Sequence, residues 1–120
     1  MSEAILYALD APHVRDAAAA AQFVEHWEDG RDAPTSPIAT FFVRLLQVWP
    51  EDGSDGAVWH EDFKHNRPAG PLLAMTFELD GFDDERLQKL RLIARHHRVH
   101  VFDPEGDVVY LADGSEAGMP

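Results

Sequence analysis

The side chains in this chain best suited to chemistry are its seven histidines: His13, His26, His60, His65, His96, His97 and His100. Imidazole titrates near neutral pH and ligates transition metals, so such a set points first to acid–base or metal chemistry. His60 and His65 flank Glu61 and Asp62, which makes that pair the candidate for a metal or small ligand. A zinc site requires three or four ligands converging at fixed distances, and the chain holds no His-Glu-x-x-His. His96 and His97 fall near the end of a basic helical stretch, where the helix dipole by itself favours histidine. The histidines therefore read as structural or surface groups, with no resident metal and no cofactor.

Other catalytic patterns fare no better. There is no cysteine, hence no disulfide, no thiolate zinc site and no cysteine nucleophile. The serines are Ser2, Ser36, Ser54 and Ser115, and none sits in a Gly-x-Ser-x-Gly elbow. Carboxylates cluster at Glu51/Asp52/Asp55, Glu61/Asp62 and Asp83/Asp84/Glu85. They lie in turns or at a helix start, where solvation leaves them without the shifted pKa that acid–base catalysis needs. The glycines form neither a dinucleotide fingerprint nor a phosphate loop. An enzyme is thus the less favoured reading, and no catalytic residue is assigned.

Charge is the more informative property. The chain carries a net charge of −12 over 120 residues. Residues 86–98 contribute +5, through Arg86, Lys89, Arg91, Arg95 and Arg98, while residues 1–85 contribute −12 and residues 99–120 contribute −5. Such an excess repels phosphate backbones and anionic lipid, so neither nucleic acid nor a membrane is an expected partner. A basic protein is.

These groups must be positioned by ordinary elements. Ala4–Leu9 alternates as a strand, and Asp10 caps a helix beginning near Ala11-Pro12, with Gly30 in a left-handed position at its end. Pro37, after Thr35 or Ser36, opens a strongly apolar helix over Ile38–Trp49. That helix is interrupted by Thr40, Arg44 and Gln47 and is too short to span a bilayer. An acidic, Gly-rich turn leads to a short edge strand over Ala57–Phe63. Leu72–Leu79 is a clear strand. Asp83 or Asp84 caps a third helix running to about Arg98, with Leu87, Leu90, Ile93, Ala94 and His97 on its core arc and Leu92 nearly opposite, among cations. Val99–Phe102 and Val108–Leu111 flank a hairpin turn.

The order β-α-α-β-β-α-β-β implies one α+β domain over 1–112, with a mostly antiparallel sheet and three helices mainly on one face. A flexible polar tail is expected over 113–120. The N-terminus has no basic and long apolar run of a secretory signal, which favours the cytoplasm.

Tyr7 and Pro12, Pro34-Thr35-Ser36-Pro37, Val58-Trp59, Ala94-Arg95-His96-His97 and Asp103-Pro104-Glu105-Gly106 give the chain a layout that resembles a family of short, acidic, uncharacterised bacterial α+β proteins. Proteins of that kind resemble immunity partners of secreted toxins, and the resemblance implies an inhibitor rather than an enzyme. The expectation is a non-catalytic protein-binding module. Glu51, Asp52, Asp55, Glu61 and Asp62 would steer a basic partner, and Trp59 and Leu92 would supply apolar contact. The alternatives are a small ligand- or metal-binding domain or enzyme using His60 and His65, and a homodimer joined along an edge near Val58 or Val108.

Overall fold

Alternating side chains at the start of the chain become strand β1 (Glu3–Leu9) of a computed structural model that describes residues 3–28, 30, 32–50, 59, 68–78 and 82–118. Helices α1 (Ala17–Trp27) and α2 (Ser36–Val48) follow, then β2 (Leu72–Glu78), α3 (Asp84–His96), β3 (His100–Asp103), β4 (Val108–Tyr110) and β5 (Glu116–Ala117). The strands form one antiparallel sheet in the order β2-β1-β3-β4-β5. The α+β class and the three helices are as the sequence implies. No helix among the described residues is long and apolar enough to cross a membrane.

The pleat sorts the core into two layers. In the β1–β2 ladder, Leu6 lies opposite Met75 and Ala8 opposite Leu73. These four pack with Phe77, Val99 and Val101 against Ile38, Phe41 and Leu45 of α2 and Leu90 and Ala94 of α3. On the other face, Leu9, Leu72, Phe102 and Val109 meet Ala17, Ala20 and Val24 of α1. Two helices therefore share one face, and α1 covers the other. The reason lies in β1, where Leu9 joins a different apolar layer from Leu6 and Ala8, because alternate residues of a strand face opposite ways.

Three local expectations are corrected. Helix α1 begins at Ala17 rather than near Ala11, because Val14 turns inward to a fully buried position and its N–H bonds the Ala11 carbonyl at 2.9 Å. Asp16 is the cap, accepting from the Ala19 N–H at 2.8 Å. Replacing Asp16 by alanine strands that donor and is expected to lower stability by about 1 kcal/mol, read as a fall in the urea midpoint with an unchanged slope. Gly30 is not left-handed; α1 ends at Trp27, and a Cβ at Gly30 would meet the Trp27 carbonyl oxygen at 3.0 Å. Close approach, not backbone handedness, is what a side chain there would disturb.

The segment beyond residue 112, expected to be a flexible tail, includes a fifth strand. Ala117 pairs with Val109 and Glu116 with Tyr110, and the Gly118 carbonyl accepts from the Ala17 N–H at 3.1 Å. Basic residues of α3 hold it in place. The Arg91 guanidinium lies 4.5 Å from the centre of the Tyr110 ring and contacts Glu116 at 3.4 Å and the Gly114 carbonyl at 3.4 Å. On this side of β4, β5 pairs with Val109 and Tyr110, while Val108 pairs with Asp103 of β3. Of the expected edge strand over 57–63, the described residue is Trp59, which makes a single antiparallel bridge with Phe77. The rest of that segment, including Val58, lies outside the described residues.

Candidate functional site

Helix α3 carries opposite charge at its two ends, and each end borders a cleft. At the N-terminus Asp83 is the cap: its carboxylate accepts from the Arg86 N–H at 3.0 Å and pairs with the Arg86 guanidinium at 3.0 Å. The backbone bond, followed by the Arg86 side chain, holds the Asp83 carboxyl below its ordinary range. Asp84 and Glu85 occupy the first turn, where the helix dipole favours anions.

Beside this turn lies a cleft of about 200 Å³, with Ile5, Phe82 and Leu87 on its apolar side and Asp83, Asp84, Asp103 and Glu105 on its rim. Three separate stretches converge here: the start of β1, the start of α3 and the β3–β4 turn. The turn is fixed by Asp103, whose Oδ1 accepts from the N–H groups of Glu105 and Gly106, both at 3.1 Å. Asp84 and Glu105 pair with no cation among the described residues. Ile5 is one of three large apolar side chains left exposed among the described residues. Chemically, this cleft suits a cationic side chain with an aliphatic stem.

At the other end of α3, a groove of about 440 Å³ opens toward α2, lined by Arg44, Leu92, Ile93, His96 and His97. The His97 ring stands edge-on to buried Phe41, with centroids 6.1 Å apart, and its Nδ1 lies 3.4 Å from the Thr40 hydroxyl. That hydroxyl has the Ser36 and Pro37 carbonyls as acceptors at 3.0 and 3.2 Å. With its proton directed to either carbonyl, the hydroxyl offers its lone pair to His97 Nδ1, whose role follows the ring's tautomer. Burial, then the nearby His96 and Arg44, pushes the His97 pKa down. Arg44 contacts Gln47 at 3.3 Å and has no carboxylate partner among the described residues.

Of the residues expected to form a partner surface, the structure describes Leu92 and Trp59. Leu92 is 63% exposed on the groove rim, as its position on the helical wheel implies. Trp59 is half-buried: its indole N–H donates to the Trp49 carbonyl, and its ring stacks on Phe77 at 4.6 Å. That placement makes Trp59 part of the packing that closes the first core layer. Glu51, Asp52, Asp55, Glu61 and Asp62, with the ligand candidates His60 and His65, lie outside the described residues. No group of three or more metal-ligating side chains occurs among the described residues.

Apart from Leu92 and the histidines of α3, the residues that build the two clefts were hidden from linear reading. Ile5, Asp84 and Glu105 share no spacing, and Arg44 reads from sequence merely as the polar interruption of an apolar helix. The available signal was the sorting of charge along α3, which by itself is equally the pattern that stabilises a helix. No family model, curated protein or solved structure matches the chain, so a functional reading rests on these two clefts.

Proposed function

We propose that this chain is a non-catalytic protein-binding module for a basic partner, acting by occlusion in the manner of an immunity-type inhibitor of a basic bacterial toxin. The observation that carries this reading is the acid-rimmed cleft at the start of α3, with exposed Ile5 beside Asp84 and Glu105, which pair with no cation among the described residues. The net charge of −12 supports it at long range. Such a field accelerates encounter with a basic protein and is screened within about 8 Å at physiological salt. At contact, a lysine or arginine of the partner lays its stem on Ile5 and Leu87 and its head against Asp84 and Glu105. The acids at 51–62 extend the same logic as a second source of steering.

The test is an affinity capture from the source organism's lysate with the wild type and the double variant Asp84→Lys/Glu105→Lys. The expected result is a stoichiometric basic protein held by the wild type at low salt, released by salt, and bound at least tenfold more weakly by the variant. Identical capture by both proteins, or capture indifferent to salt, removes the reading.

A further inference from the structure

We infer that the α2–α3 groove is a second binding site, for a small organic carboxylate with an aliphatic or aromatic body. The groove's volume of about 440 Å³ falls in the range of small-molecule sites, roughly 300–1,000 Å³. Its lining is divided as such a ligand requires, with Leu92 and Ile93 apolar and Arg44, His96 and His97 cationic or able to become so. Leu92 is 63% exposed, a large apolar side chain left without cover.

Charge complementarity selects the ligand's sign. Arg15, Arg86 and Arg91 each meet a carboxylate, whereas among the described residues Arg44, like Lys89, Arg95 and Arg98, meets none, and of these four Arg44 is the one that lines the groove. On a chain of net charge −12, a guanidinium without an acid partner, facing two imidazoles across a groove, is a local reversal of field. Arginine presents a planar fork that matches a carboxylate. The contact with Gln47 at 3.3 Å is neutral and leaves its charge unbalanced.

His97 adds a proton linkage. Among the described residues, the charged and titratable groups lining the groove are His96 and His97 on α3 and its cap, and Arg44 on α2; Thr40 is the neutral partner of His97. Neutral His97 has one unprotonated ring nitrogen, so a bound carboxylate gains a further charged neighbour when that nitrogen takes up a proton. Binding must therefore tighten as pH falls from about 8 to about 6, and it must draw protons from solution.

The experiment titrates hexanoate, and separately hexanamide, into the isotope-labelled protein while following the Leu92 methyl and the His96 and His97 ring signals by NMR. Hexanoate is expected to shift all three saturably, with at least tenfold weaker response to hexanamide and to hexanoate added to Arg44→Gln. Affinity is expected to rise on moving from pH 8 to pH 6. Arg44 is exposed, so the variant folds, which its thermal midpoint verifies. Equal response to acid and amide, no response, or indifference to Arg44→Gln overturns the inference. Saturable binding of an acidic–apolar peptide at signals that hexanoate leaves unmoved also overturns it, by making the groove a peptide dock.

Discussion

Truncating Phe77 to alanine is expected to lower the unfolding free energy by about 3–5 kcal/mol, a large share of the roughly 5–15 kcal/mol that holds a domain together. Phe77 is fully buried on β2. Its ring stacks with Phe82 at 4.0 Å and with Trp59 at 4.6 Å, and Trp49 stands edge-on to it at 6.3 Å. Phe82 precedes α3 and Trp49 caps the end of α2, so one ring joins both helices to the sheet. Removing it leaves a cavity that four separate pieces of chain border, and they cannot all move inward together. Tryptophan fluorescence during urea unfolding reads the loss, because Trp49 and Trp59 report on this cluster. Phe77→Leu retains most of the buried area and is expected to lose less, which keeps the comparison measurable if the alanine variant fails to fold. A loss below about 1 kcal/mol for Phe77→Ala would show that the cluster is not what joins the layers.

Acidification from about pH 7.5 to about pH 5 is expected to destabilise the protein through His100, and His100→Asn is expected to abolish much of that dependence. His100 is 5% exposed, and its Nδ1 accepts from the Ala112 N–H at 2.8 Å. Nε2 therefore holds the proton of the neutral ring, and among the described residues no acceptor is well aligned with it, the Ala11 carbonyl being the nearby one. Burial, then Arg15, pushes the pKa below its ordinary value, against an opposing pull from Asp113, the Ala11 carbonyl and Asp10. The unfolded chain thus binds the proton more readily than the folded one. Stability is intact above the ordinary histidine value of 6.5 and declines as pH falls below it.

Protonation also places a second donor against Ala112 N–H and loosens the turn that leads to β5. His97 shifts in the same direction, so His97→Asn is the comparison that apportions the effect. The carboxylates act in another window. Hydrogen bonds from Arg86 N–H and from the Ser115 hydroxyl hold Asp83 and Asp113 below 3.8, and their contribution fades at more acidic pH. His100→Asn keeps an acceptor oxygen where Nδ1 sits. His100→Leu does not, and it is expected to lose about 1–3 kcal/mol at neutral pH from the stranded Ala112 donor. Parallel pH profiles of the thermal midpoint for wild type and His100→Asn would exclude His100 as the titrating group.

Much of this molecule follows from local pattern. The alternation in Leu72–Glu78, the proline that opens α2 and the aspartate that caps α3 each act within a few residues, so the elements they specify were legible without a structure. The wheel of α3 likewise placed Leu92 in solvent and Leu90 in the core, because a helix of known period has one apolar arc. The start of α1 was less legible, since Asp10 and Asp16 are both competent caps and the burial of Val14 decides between them.

What only tertiary structure decided were the relations between distant segments. Glu116 and Ala117 lack the length and alternation of a strand, and they are one because Arg91 reaches over Tyr110 to hold them there. Trp59 reads from the sequence as a partner contact, and only the packing of Phe77 and Trp49 against it shows that it also closes the first core layer. The two clefts join Ile5 to Glu105 and Arg44 to His97 across intervals that carry no period. Helix and strand signals arise from covalent spacing, whereas a cleft arises from which surfaces the two core layers leave uncovered, and that is settled only when both layers have packed.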